Sequence, residues 1–213
     1  AGIAPYRHSE QAMAAELLPA KLTADMLVLA DRNFYGFKLW QVACVSGAKL
    51  AWRVKSNLGL PVQQLLPDGS YLSTVFDSAD RVRRAGQVVR VIDYTLQGLA
   101  TPGPDSYRLV TNILDPVAAP ALELAALYHE RWEIEGVFDE FKTHLRANST
   151  VLRSKTPELV QQELWGLLLA HFAIRQLMAQ AAWPRGLDPD RLSFTHAVRV
   201  IKRKMPQAAA VPP

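Results

Sequence analysis

The stretch MLVLADRNFYGFKLWQVACVSGAKLAWRVK, from Met26 to Lys55, decides the fold class. MLVLA is a short continuous apolar run, the pattern of a strand buried on both faces of a sheet. It stops abruptly at Asp31, Arg32 and Asn33. After Gly36 a helical pattern runs to about Ser46, where Gly47 closes it. LAWRVK (Leu50–Lys55) is then a second strand. Before this unit, Ser9 can cap a helix over Ser9–Leu18 that Pro19 is expected to end. Helix, strand, helix, strand is α/β organisation, with helices covering a sheet.

Working outward, the character changes near Asn57. Leu66-Pro-Asp-Gly-Ser is a turn signal, and QVVRVIDYTL (Gln87–Leu96) and YRLVTNIL (Tyr107–Leu114) are β-rich. Turn-rich stretches at Arg83–Gly86 and Gly98–Ser106 separate them, which predicts a small antiparallel subdomain over 57–119. Asp115-Pro and Ala119-Pro then announce helices. One helix is expected over Pro120–Arg146, and a second from Thr156, with Thr as N-cap, Pro157 in the first turn and Glu158 at the positive dipole end. The LWGLLLAHFAI core of the second is apolar nearly all round and should be buried. A third helix is expected from near Pro189. The expected organisation is therefore 1–56 as α/β core, 57–119 as β-rich insertion and 120–213 as a helical half.

The chain has 213 residues, enough to bury a full core. A composition 49% hydrophobic and 21% charged excludes collagen-like, coiled-coil and disordered classes. A single cysteine, Cys44, rules out an internal disulfide and fits a reducing, cytoplasmic setting. The longest apolar run, near Trp165–Ile174, is too short for a membrane span and carries His171. AGIAPYRHSE lacks the apolar core of a signal peptide and an initiator Met, which fits a piece of something longer. Formal net charge is +4, a weak pointer to a polyanionic partner. Arg199, Lys202, Arg203 and Lys204 crowd the VRVIKRKM stretch; they suit either a helix C-terminus or phosphate contact.

YHERWEIEGVFDEFK (Tyr128–Lys142) carries the densest chemistry. With Tyr128 at zero and steps of about 100°, Arg131, Glu135 and Lys142 land at about 300°, 340° and 320°. The apolar set Leu127, Ile134, Phe138, Phe141 and Leu145 falls at about 220–280°, so the charged stripe borders the core. The far side holds His129, Glu133, Glu140 and Thr143, as expected for a surface. A carboxylate at a core border, flanked by a hydroxyl and two cations, suits phosphodiester chemistry, with Glu135 on a divalent metal and Arg131 and Lys142 on phosphates. An i,i+4 Arg131–Glu135 pair explains the same pattern equally well. A second carboxylate is available in Asp31, at a strand end where sheet-based sites gather; a strand-terminating Asx-turn is its structural alternative.

Tyr128-x2-Arg131-x3-Glu135-x6-Lys142 resembles the YREK signature of the DDE transposases of bacterial insertion sequences, the IS-four group. ADRNFYG (Ala30–Gly36) resembles the segment around that family's second catalytic aspartate, LAWRVKSN the strand after it, and LRSKTPELV (Leu152–Val160) the stretch after the signature helix. The likeness covers nearly the whole chain. It implies an RNase H-like fold with a β-rich insertion, and metal-dependent DNA cleavage and strand transfer using Mg²⁺ or Mn²⁺. Asp31 and Glu135 would be catalytic metal ligands. Tyr128, Arg131 and Lys142 would grip phosphates of double-stranded DNA, with Arg53, Lys55, Arg153 and Lys155 as further candidates. Self-association in a synaptic complex is implied as well.

The resemblance also exposes a departure. The family's first aspartate lies on a strand upstream of the first helix, where this chain has only AGIAPYRH; Asp25, in a turn, is a poor substitute. An N-terminally truncated catalytic fold, inactive in cleavage alone, is the resulting expectation. The alternative is a non-catalytic remnant that binds DNA or inhibits full-length copies.

Overall fold

The computed structural model describes residues 8–95, 98–99, 106–145 and 152–208. The chain divides into two compact units, Ala1–Arg131 and Trp132–Pro213.

The first unit is built on one mixed sheet. Helix α1 (Glu10–Lys21) starts at Ser9, whose hydroxyl accepts from the Ala12 N–H at 3.2 Å. Pro19 does not end it. The helix continues to Lys21 with Pro19 in its last turn, closing through Leu22 N–H to Leu18 O. A proline costs most in a helix interior, where the missing N–H and ring clash disrupt turns on both sides. Strand β1 (Leu27–Ala30), helix α2 (Phe37–Val45) and strand β2 (Lys49–Val54) form the expected parallel unit. Gly47, at φ +78°, supplies the left-handed turn between α2 and β2. All four β1 residues are only half-buried, because β1 is an edge strand: among the described residues it pairs with β2 alone.

The β-rich stretch joins this same sheet. Strands β3 (Gln64–Leu65) and β4 (Tyr71–Phe76) flank the Leu66–Ser70 turn, with Gly69 at φ +82°. Next come β5 (Gly86–Thr95), the short β6 (Gly98–Leu99) and β7 (Tyr107–Thr111). The order is β1-β2-β7-β5-β4-β3, with β6 paired to β5. β7 lies antiparallel to β2, so the strands expected to stand apart extend the α/β sheet. Most of the turn-rich stretch before β7 lies outside the described residues.

Alternation along the strands separates two cores. Leu50, Trp52, Val54, Val89, Val91 and Val110 face α1 and α2, with Trp40 edge-on to Trp52 at 5.3 Å. Ile92, Tyr94 and Leu109 face helix α3 (Ala121–His129), which buries Ala121, Leu124, Ala125 and Tyr128. Two arginines pin this sheet. The Arg90 side chain is fully buried, pairs with Asp68 in the β3–β4 turn, and donates to Ala119 O at 2.7 Å. Asp68 also accepts the Ala121 N–H at 2.9 Å, so one carboxylate ties that turn to the start of α3. Arg108 holds Asp93 in a two-pronged pair at 2.6 and 3.0 Å and donates to Ser56 O and Leu58 O, fixing the chain after β2.

The second unit is helical: α4 (Trp132–Asp139), a π-helical segment (Glu140–Leu145), α5 (Pro157–Ala182) and α6 (Phe194–Ala208). Thr156 caps α5 as expected, accepting from Leu159 N–H at 3.4 Å. Pro189 opens only a single 3₁₀ turn, and α6 starts after Ser193. Ile174, Met178, Phe194 and Val198 form its core, with Leu145 and Ile201 packed on it. The apolar middle of α5 is not sealed as expected. Trp165, Leu169 and Phe172 are 53%, 67% and 67% exposed, since only one side of α5 meets α6 and the π segment.

Candidate functional site

The first unit gathers four of the expected site residues at the carboxyl ends of β1 and β2. Asp31 follows β1 directly and is half-buried. Its carboxylate has no hydrogen bond or ion pair among the described residues, while its backbone carbonyl accepts the Phe34 N–H at 2.9 Å. Beside it, Tyr128 on α3 is 1% exposed, and its hydroxyl donates to Ala30 O at 3.3 Å. The Arg131 guanidinium lies 5.5 Å from the Tyr128 ring centre, and that of Arg53 lies 4.5 Å from the centre of Tyr107. Burial pushes the Tyr128 phenol above its ordinary pKa, with the Asp31 charge adding to the rise. Arg131, through its charge and a hydrogen bond, and Arg53 pull the other way. The net is upward, so the phenol remains a hydrogen-bond donor at neutral pH.

Sequence periodicity missed the frame that holds this cluster. Tyr94 stacks on Tyr107 at 5.4 Å, and the His129 ring stands edge-on to both at 5.6 Å. His129, expected at the surface, is therefore half-buried inside an aromatic box, and its Nε2 is buried without a hydrogen-bond partner. The available signal was the alternation that sets Tyr94 beside Ile92, and Tyr107 beside Leu109, on the α3 face. Burial pushes the Tyr94 phenol up too. Lys55, one residue past β2, is exposed and outside this frame.

The single helix expected over Pro120–Arg146 is broken. The α3 helix ends with tight i→i−3 bonds, Glu130 N–H to Leu127 O at 3.1 Å and Arg131 N–H to Tyr128 O at 3.2 Å. It stops where its burial against the sheet stops, at Tyr128. A single helical wheel therefore does not run unbroken from Tyr128 to Lys142. Nor is the bordering apolar face buried: Ile134 and Phe138 are 55% and 54% exposed.

In the second unit, Glu135 is exposed on α4 and Lys142 is exposed on the π segment. Arg153 and Lys155 are exposed just before α5, where Glu163 accepts the backbone N–H groups of Arg153 and Ser154 at 3.2 and 3.0 Å. Glu140, expected at the surface, is instead largely buried and paired. It accepts two bonds from Arg175 at 2.7 and 3.2 Å and lies 2.7 Å from His171 Nε2, with its side chain 12% exposed. Arg175 also reaches Asp190 at 3.0 Å. Thus Glu140 clamps the start of the π segment to α5.

A divalent metal wants several oxygen ligands. Asp31, half-buried and unengaged at a strand end, meets the requirement for one of them. Among the described residues, no group of three or more His, Cys, Asp or Glu side chains could hold a metal. No helix among them is long and apolar enough to cross a membrane.

Residues 5–173 match the family described as Transposase DDE domain. Over 209 residues the chain is 29% identical to "Transposase InsG for insertion sequence element IS4" of Escherichia coli strain K12, covering 96% of this chain and 47% of that protein. It is 26% identical over 149 residues to "Putative transposase y4zB" of Sinorhizobium fredii, covering 68% and 40%. The chain thus spans about half the length of the curated relatives it matches. With the match running from before the first helix into the second unit, the chain belongs to the DDE transposase family and is related to the insertion-sequence transposases of the IS4 type.

Proposed function

We propose that this chain supplies part of the catalytic domain of an insertion-sequence transposase, of RNase H-like fold, that cuts and joins DNA with divalent metal. The observation that carries the reading is the cluster at the end of the parallel strands. An unengaged carboxylate, Asp31, stands near a buried phenol, Tyr128, whose charged neighbours also include Arg53 and Arg131. Asp31 and Glu135 are the proposed metal ligands. A divalent cation held there would supply activation of water or of a DNA 3′-hydroxyl and stabilisation of the leaving oxygen. Arg53 and Arg131 offer charge to adjacent phosphates, and the protonated Tyr128 phenol offers a donor. Lys142, Lys55, Arg153 and Lys155, all exposed cations, are proposed further phosphate contacts. Binding to transposon ends, self-association in the synapse and a cytoplasmic location belong to the same reading.

In this reading a first acidic ligand from outside the described residues would complete the site, and the outer edge of β1, unpaired among the described residues, is where a further strand would add. The second reading, a chain that binds DNA without cutting it, differs only in that ligand. Fluorescence anisotropy with a duplex ending in the element's terminal repeats tests the shared part. Lys142→Ala should weaken binding and lower the salt slope by about 1; an unchanged slope removes Lys142 from the phosphate contacts. With Mn²⁺ and the same duplex, the chain alone should not nick. Robust nicking abolished by Glu135→Gln would show that no further carboxylate is needed.

A further inference from the structure

We propose that the outward face of α6 is a second DNA-backbone contact surface, made by Arg199, Lys202 and Arg203. This rests on the reading of the chain as a DNA-binding transposase, and it adds a surface that neither the signature nor the family match assigns. The helix seats Phe194 and Val198, 5% and 7% exposed, against α5, with Ile201 beside them. Stepping about 100° per residue from that seat puts Arg199 and Arg203 on the far side, with Lys202 on the flank. All three are exposed.

Three observations favour a polyanion over simpler explanations. First, α6 contains no Asp or Glu, and among the described residues none of these cations has an ion-pair partner. Arg199 and Arg203, four apart, repel each other with no acid to relieve them. Second, the macrodipole does not account for them, because that benefit is confined to the last turn and the last turn of α6 carries no basic residue. Third, a basic amphipathic helix can lie in a membrane surface only if its apolar face is free to enter the lipid. Here Phe194 and Val198, the centre of that face, are seated on α5. The cationic surface is therefore fixed outward by the helix's own packing. Spacing of charge along one helix face fits successive phosphates of a duplex, contacted without regard to sequence.

The test uses the whole chain, a fluorescein-labelled duplex of random sequence and a salt titration. The variant Arg199→Gln/Lys202→Gln/Arg203→Gln leaves the seated face untouched, and circular dichroism verifies that α6 persists. Each lost phosphate contact lowers the salt slope by about 0.9, so the triple variant should lose about 2–3 from the slope and bind about tenfold or more weakly at low salt. Lys142→Ala runs alongside. If Lys142→Ala weakens binding and the α6 variant binds as the parent does, the α6 surface is refuted and the transposase reading stands. If the parent itself does not bind the duplex, both fall. Vesicles containing phosphatidylserine form the last arm. Binding to them that the triple variant loses, with duplex binding unchanged, would overturn DNA in favour of lipid.

Discussion

The two halves of the YREK signature stand in different physical settings. Tyr128 is buried on α3, which packs on the sheet, and Arg131 lies against its ring. Glu135 and Lys142 ride on eight residues of α4 and a π segment with no fully buried residue in α4. The comparison teaches that one motif can be half framework and half exposed chemistry. Proton and hydrogen-bond geometry at Tyr128 is set by folding. Glu140 ties the start of the π segment, which carries Lys142, to α5.

Breaking the framework should have the largest effect. Arg90→Met leaves Asp68 and the carbonyl of Ala119 without their buried partner, and should cost about 3–5 kcal/mol. Hydrogen exchange read by mass spectrometry should show β4, β5 and the start of α3 losing protection while α5 keeps it. Equal loss in α5 would deny that the two units are separately stabilised. A smaller effect, and the reverse pattern, is expected of Glu140→Ala. Leaving His171 without its acid and Arg175 with Asp190 alone should cost about 1–3 kcal/mol, deprotecting α5 and α6 and sparing the sheet. The smallest effect concerns acid. Burial raises the Asp68 carboxyl, but hydrogen bonds from Ser70 and Ala121 and the charge of Arg90 outweigh it and hold its pKa below the ordinary carboxylate value. A depressed folded value means the stabilisation is fully present above the unfolded value and is lost as pH falls through the lower folded one. Asp68→Asn should therefore flatten the acid limb of a sheet-unfolding curve below about pH 4; an unaltered limb would assign acid sensitivity elsewhere.

Much of this framework was legible in the sequence. The apolar run before Asp31, the Gly47 turn, the Leu66–Ser70 turn and the Ser9 and Thr156 caps each act through neighbours within a few residues, so local pattern reports them. The pairing of β7 with β2 did not show, because strand order is a long-range choice that a period of two does not encode. The helix break at Glu130–Arg131 was invisible for a related reason: no proline or glycine marks it, and it falls where contact with the sheet ends. Glu140 was misplaced at the surface because a wheel drawn through that break assigns faces that the chain does not have. Asp31 was singled out by its place at the end of an apolar run and Tyr128 by helical spacing, whereas the Tyr94, Tyr107 and His129 frame around Tyr128 needed the fold.

The proposal to be tested most directly is that Asp31 and Glu135 hold one divalent metal. Titrating the chain into Mn²⁺ and following the loss of the free-ion electron paramagnetic resonance signal tests it without requiring cleavage. Asp31→Asn and Glu135→Gln should each reduce Mn²⁺ uptake, and the double variant should lose little more than either alone, because ligands of one site fail together. If both single variants take up Mn²⁺ as the parent does, the two carboxylates do not share a metal and the claim is wrong.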